Sequence, residues 1–548
     1  MTPSQSAEPF ALATAPAGAA AASHRQGRAA RLGIPGSWPL AVVLAVQILL
    51  SLRLVRADTA FQDEAAYLWA GHMELAHWLH GASIPPFPSY FSGAPVAYPP
   101  IAALADNLGG LTAARILSLI FMLGATTLLW STSSRLFGQR AAFFATALFA
   151  ILGPTLHLGA FATYDALSVF LIALAAWLVV RAGDRQDATG WMIAAGVVLA
   201  LANVTAYSSI LFDVIVILLA LLLALPALGR RLAVTRALTI LIIVVVLLMA
   251  GALIGGSSYI RGFDATTFAR VAGGASALTV LGDAWAWTGF VVVAALFGVA
   301  VSWMNREGTA RTLLLAVMAV AALLGPLEQA QLHTAASLNK HVGLGAWFAA
   351  IAAGYAVDKL IAAAPAGSTR AVTCGACVVA LALPIALGAE QSRNFSTSWP
   401  DSTSFVAIFG PIVQHNSGPL LVEDPSIAEY YLHASQWTRW SSTRNIVKTS
   451  GVSTGGPGAA GIVGAGNAGT FGTYIEHAYF SIVALNFIDT TSLDQTITSD
   501  LKLNRHYCVL QVVPYGIEIP PIGVGTYVIW RHEPQLTMPS RAHGWNCP

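Results

Sequence analysis

The sequence predicts an α-helical polytopic membrane protein of about eleven crossings, followed by a C-terminal extracytoplasmic α/β domain. Three observations predict it. Of 548 residues, 56% are hydrophobic and only 10% are charged, against about 25% charged in a soluble domain. Apolar runs near the roughly 20 residues that a bilayer requires recur through the first three-quarters of the chain, which excludes a single anchor. After residue 389 the pattern changes to short apolar runs alternating with polar, helix-like stretches.

Residues 1–36, rich in Ala, Gly and Pro and carrying Arg25, Arg28 and Arg31, read as a disordered cytoplasmic tail. The next apolar segment lacks a small-residue cleavage site and is followed by more spans, so it is expected to be retained. Across the membrane module, residues 37–389, spans are expected at about 37–56, 111–131, 141–160, 166–181, 190–208, 209–226, 236–255, 287–304, 312–327, 342–361 and 371–389. Lys and Arg should gather in cytoplasmic loops. With the N-terminus inside, the inner loops hold Arg135, Arg140, Arg181, Arg185, Arg230, Arg231, Arg236, Arg306, Arg311, Lys359 and Arg370. The outer loops hold only Arg53, Arg56, Arg115, Arg261, Arg270 and Lys340.

An odd number of crossings puts residues 390–548 outside. There PLLVE, SIVALNF, HYCVLQVV and TYVIW read as strands, and stretches near 425–434, 472–480 and 493–503 as helices. Cys508 and Cys547 lie in this compartment, where a disulfide is permitted although spacing alone does not demand it. Cys374 and Cys377 fall in the last span and read as buried small apolar residues. A net charge of +2 gives no broad basic surface for nucleic acid.

The residues able to carry chemistry lie on the outer side. The long first outer loop, 57–110, contains FQDEAAYLWAGHMELAHWLHG and then YFSGAPVAYPP. Asp63 and Glu64 follow the first span closely, and Tyr67, Leu68, Trp69, Leu75, Trp78 and Leu79 suit an amphipathic helix at the interface. A carboxylate at that depth can face a lipid-borne donor; alternatively the pair caps the helix at its positive end. Asp165, in GAFATYDALS, falls at the next outer turn, and Arg115, in GGLTAARILS, at the outer start of the second span. Ionisable residues at a membrane edge face a cavity or a partner, and an Arg115–Asp165 ion pair is the structural alternative. The last outer loop, PLEQAQLHTAASLNKHVG, adds Glu328, His333, Ser337, Asn339, Lys340 and His341. Lys340 beside His341 at a span start suits a lipid phosphate; ordinary snorkelling of Lys340 is the alternative.

These motifs resemble the GT-C glycosyltransferases: DEAAY in a long first outer loop, the YPP that closes it, an acid at the second outer turn, and a basic SLNKH element before a late span. The branch they resemble is that of the protein O-mannosyltransferases and the lipid A aminoarabinose (ArnT-like) transferases, over about residues 37–390. The resemblance implies an integral membrane glycosyltransferase taking a sugar from a polyprenyl-phosphate donor to an extracytoplasmic acceptor, which is a protein, a glycan or a lipid. It implies catalytic carboxylates at Asp63, with Glu64 beside it, and Asp165, and donor-phosphate binding by Arg115 and Lys340, with His341. A divalent metal ion, if used, has Asp63, Asp165 and His333 as candidate ligands. The late basic element is KH, where the aminoarabinose branch carries Arg-Tyr.

The chemistry agrees. A sugar on a phosphate already has a good leaving group, so transfer needs a base for the acceptor hydroxyl and positive charge on the departing phosphate. A single displacement with inversion is expected. One further motif is set aside: IVGAGNAG matches G-x-G-x-x-G at Gly464, Gly466 and Gly469, with Asp489 beyond, but the glycine-rich GVSTGGPGAAG upstream has no strand character, so a loop is expected. H-E-x-x-H, a paired C-x-x-C ligand set and a nucleophile elbow are missing from the sequence. A transporter or flippase is the alternative function, but charges are scarce in mid-span, Asp213 excepted, whereas transporters bind near the midplane. A non-catalytic assembly protein would leave the outer acids without a task.

Overall fold

The computed structural model describes residues 38–56, 58–270, 272–443, 468–488, 490–515, 525–534 and 545–547. The expected tail at 1–36 and the Gly464, Gly466 and Asp489 positions of the glycine motif lie outside these residues.

The chain begins with α1 (Trp38–Val55), the first-loop helix α2 (Gln62–His80) and α3 (Pro99–Phe137). The bundle continues through α4 (Gln139–Ala150), α5 (Gly153–Leu158), α6 (Tyr164–Arg181), α7 (Thr189–Thr205), α8 (Asp213–Leu228) and α9 (Arg230–Thr266). It closes with α10 (Ala277–Met304), α11 (Thr309–Gln331), α12 (Leu338–Ala363), α13 (Ser368–Ala380) and α14 (Ala382–Ser396). Among the described residues, nine helical stretches are long and apolar enough to cross a membrane. The other two expected spans are shorter helices, α4 with α5, and α7. Pro154 explains the first break, because a proline within the first turn of α5 supplies no N–H to continue the α4 ladder.

Two glycines bend long helices. Gly110 (φ 66°) splits α3 into a lead-in and a span, and Gly256 (φ 73°) turns the end of α9 back toward the outer loops; positive φ favours glycine at both. The helix α12 is central, packing on α4, α10 and α11. A Cβ at Gly345 or at Gly354 would lie 2.3 Å from a carbonyl oxygen of Ala321 or Ala141, so small residues set these close crossings. By contrast α13 buries no residue, and Cys374 and Cys377 on it are half-buried rather than enclosed. They lie on the less exposed side of this last helical stretch, most of whose residues are exposed.

The C-terminal unit contains α15 (Thr403–Gln414), β1 (Leu420–Val422), α16 (Pro425–Tyr431), β2 (Trp440–Ser442), α17 (Ala468–Glu476), β3 (Ile482–Leu485), α18 (Thr491–Leu503), β4 (Tyr507–Pro514) and β5 (Thr526–His532). The sheet order is β2-β1-β3-β5-β4, with β1 parallel to β2 and β3, and β5 antiparallel to β3 and β4. Every residue of β1 and β3 is buried, as expected of strands covered on both faces. Leu420, Val422 and Ile482 pack with Phe405 and Phe409, while Leu421, Val483 and Leu485 pack with Phe471, Ile497 and Leu501. A Cys508–Cys547 disulfide ties the final residues to β4.

This unit docks on the first loop. Trp69 Nε1 donates to Ala434 O at 2.9 Å, Tyr431 Oη accepts from Ala60 N at 2.8 Å, and Trp399 Nε1 donates to Thr59 O at 2.9 Å. Tyr430 and His72 both engage the Asp106 carboxylate, at 2.8 and 2.7 Å. The expected interfacial helix is therefore only partly exposed: Tyr67, Leu68 and Trp69 are buried, and Trp78 and Leu79 at its far end remain open.

Candidate active site

A cavity of about 600 Å³ opens at the end of the bundle, and Asp63, Asp165 and Lys340 all line it. Each sits in the first turn of a helix, α2, α6 and α12 respectively. Two of these placements are locally favourable, since carboxylates are stabilised at helix N-termini. The third is not: an ammonium meets the positive end of α12 and needs compensating anions. It has them. Lys340 Nζ donates to Asp63 Oδ2 and stands 3.8 Å from Asp165 Oδ2. Lys340 and Asp165 are 6% and 3% exposed, whereas the Asp63 side chain is about a third open to the cavity. Asp165 Oδ2 has no hydrogen-bond partner.

The adjacent carboxylate behaves differently. Glu64 is closed off completely, and its two oxygens accept from Arg115 Nε at 2.8 Å and Nη2 at 2.7 Å. Glu64 Oε1 also accepts from Ala162 N at 2.7 Å. Arg115 spends its remaining N–H groups on Val55 O, Asp58 O and Thr59 O at 3.1–3.3 Å. Successive helix residues point about 100° apart, so when Glu64 faces α3, Asp63 turns to the cavity. Neither Glu64, expected as a catalytic carboxylate, nor Arg115, expected at the donor phosphate, lines the cavity. Arg115 pairs with Glu64 and loop carbonyls, not with Asp165.

His341 lines the cavity, with Nδ1 2.7 Å from Gln329 Nε2 and 3.5 Å from Glu328 Oε2. His333 does not. It is exposed at the turn after α11, with Nδ1 3.1 Å from Ala275 O, which removes it from any ligand set with Asp63 and Asp165. Among the described residues, no three His, Cys, Asp or Glu side chains converge as a metal site. Asp63 and Asp165 already have a cation between them, so the residues present do not fit a divalent ion.

Several cavity residues escaped the sequence. Arg270 lines the wall formed after α9 turns at Gly256; its only sequence signal was its count among outer basic residues. Tyr90, Ser92, Tyr164 and Tyr207 supply hydroxyls and aromatic faces. Tyr164 is hydrogen-bonded to Ser92, and its ring lies 4.6 Å from that of Tyr67, which shares the Asp63 face of α2. Tyr67 in DEAAY and Tyr164 beside Asp165 were visible as neighbours of the acids. Asp213, the apparent mid-span charge, is the first residue of α8 and accepts from Asn203 Nδ2 at 2.8 Å.

Residues 95–254 match the family model described as dolichyl-phosphate-mannose-protein mannosyltransferase. No curated protein matches the chain. Among solved structures, the chain is similar to ArnT from Cupriavidus metallidurans in the apo state, at 15% identity over 90% of this chain and 98% of that one, with a TM-score of 0.53. It is similar to the same protein bound to undecaprenyl phosphate, at 14% identity, the same coverage and a TM-score of 0.53. The archaeal oligosaccharyltransferase AglB from Archaeoglobus fulgidus, in complex with an inhibitory peptide and a dolichol-phosphate, matches at 13% identity over 89% of this chain and 74% of that one, with a TM-score of 0.56. The chain therefore shares the fold of these membrane proteins, the fold that its resemblance to the GT-C glycosyltransferases predicts.

Proposed function

We propose that this protein transfers a sugar from a polyprenyl-phosphate donor to an acceptor hydroxyl at the membrane face that carries the C-terminal unit. The observation that carries the proposal is the convergence of Asp63, Asp165 and Lys340, from three separate outer loops, on one cavity at the end of the bundle. The donor class is supported by the fold shared with structures holding undecaprenyl phosphate and dolichol-phosphate. The lysine and arginine distribution supports placing this face outside and the N-terminus in the cytoplasm.

In this reading Asp63, the cavity-facing carboxylate, accepts the acceptor hydroxyl proton as the oxygen attacks the anomeric carbon. The anomeric C–O bond breaks on the opposite side, and its electron pair leaves on the polyprenyl phosphate. Single displacement inverts the anomeric configuration. An ammonium has three N–H donors; one serves Asp63, Asp165 is held at 3.8 Å by charge alone, and a further N–H serves the departing phosphate, with Arg270 and His341 adding charge and hydrogen bonds. Asp165, with an unpartnered oxygen, orients sugar or acceptor hydroxyls. A cavity near 600 Å³, at the scale of ordinary small-ligand sites, suits a donor carrying a short glycan or one sugar.

The test is a purified-protein assay against a panel of polyprenyl-phosphate sugars, following release of the free carrier phosphate. Asp63→Asn is expected to lower kcat by about 10²–10⁴, the usual worth of a positioned base, with little change in KM. Release by no donor in the panel, or full activity of Asp63→Asn, rejects the reading; retained anomeric configuration rejects the single displacement.

A further inference from the structure

We propose that the Lys340 ammonium is a built-in cation, holding the position between Asp63 and Asp165 that a divalent metal ion would otherwise take, so that transfer by this chain needs no metal; the catalytic half of this statement rests on the transferase reading above. Four observations support it. Lys340 Nζ is in contact with Asp63 and is 3.8 Å from Asp165 Oδ2, so both carboxylates are served by one cation. Lys340 is 6% exposed and does not extend to the surface, which separates it from a snorkelling lysine. It enters the cavity from the positive end of α12, an arrangement that is unfavourable unless anions surround it.

The fourth observation is the remaining ligand chemistry. A magnesium or calcium ion takes about six or more oxygen ligands at roughly 2.0–2.6 Å. Here an ion at that distance from both carboxylates would meet the ammonium directly, like charge against like charge. No third acidic or histidine ligand joins Asp63 and Asp165 among the described residues. His341 is turned to Gln329 and Glu328 instead. The unpartnered Asp165 Oδ2, almost wholly buried and lining the cavity, is the oxygen that a metal would claim first; the charge nearest to it is Lys340.

The decisive measurement titrates purified protein with Mn²⁺, following the electron paramagnetic resonance signal of the free ion, with no sugar donor present. Lys340→Met removes the charge and keeps much of the side-chain volume. It is expected to bind Mn²⁺ at least tenfold more tightly than the parent protein, and Asp63→Asn added to Lys340→Met is expected to abolish the gain. Stoichiometric Mn²⁺ binding by the parent protein that Asp63→Asn removes overturns the proposal, as does a folded Lys340→Met with no gain. Should Lys340→Met not fold, the parent protein still decides: a transfer rate unchanged by EDTA supports the built-in cation, and a rate lost in EDTA and restored by Mn²⁺ overturns it. Absence of transfer from every donor rejects the transferase reading alone, because the Mn²⁺ titration of the parent protein stands without it.

Discussion

Glu64 and Arg115 form a two-pronged ion pair, at 2.8 and 2.7 Å, that is sealed from solvent, while the neighbouring Asp63 faces the cavity. The pair joins α2 to α3, and through Arg115 it grips the loop carbonyls of Val55, Asp58 and Thr59. It holds the helix phase that aims Asp63. A pair of this kind is best described as a positioning device, since burying both charges costs much of what their attraction returns.

Removing one partner strands the other in an apolar site. Arg115→Met is predicted to destabilise the protein by about 3–5 kcal/mol, seen as a lowered melting temperature in detergent, and to reduce kcat through misdirection of Asp63. Glu64→Gln, which keeps the shape and the acceptor oxygen, should cost less. A melting temperature for Arg115→Met equal to that of the parent protein would contradict this assignment.

Arg270 is predicted to act on donor affinity. If it contacts the donor phosphate, Arg270→Ala loses a charge-assisted hydrogen bond worth about 1.5–3 kcal/mol, so donor KM should rise by about 10–100-fold with a smaller change in kcat. Arg270→Lys should recover part of the loss. Unchanged donor KM for Arg270→Ala would remove Arg270 from the phosphate site.

A pH dependence should arise at the junction with the C-terminal unit. Burial, reinforced by the nearby Asp401, pushes the Asp58 carboxyl up to about 6. Its folded value is raised above the unfolded one, so the folded state holds the proton more tightly. Stability is therefore undiminished below about pH 4 and falls as pH rises to about 6, above which the penalty is complete. Asp58→Asn, a neutral mimic, should raise the melting temperature by about 1–2 °C at pH 8 and leave it unchanged at pH 4. A gain at pH 4 instead would refute the assignment.

Much of the fold was legible because membrane and sheet physics write directly into local patterns. An apolar run of span length has few alternatives to a helix in a bilayer, and PLLVE, SIVALNF, HYCVLQVV and TYVIW became β1, β3, β4 and β5. β2, only Trp440–Ser442, left too short a pattern to read. The site was legible in part. Asp63, Asp165 and Lys340 stood out as costly charges at a membrane edge, yet nothing in Asp63-Glu64 states which of the two meets Arg115.

By itself, then, the sequence determined the class of molecule, its many apolar helices and the small sheet unit that follows them, and it marked out Asp63, Asp165 and Lys340 as unusual charges. Those properties depend on composition and on runs of adjacent residues. The tertiary structure alone decided the pairing: Arg115 with Glu64, Lys340 with Asp63 and Asp165, and Arg270 in the cavity wall. Asp63 and Lys340 are 277 positions apart, and contact at such separation is set by helix phase and bundle packing, neither of which any local stretch encodes.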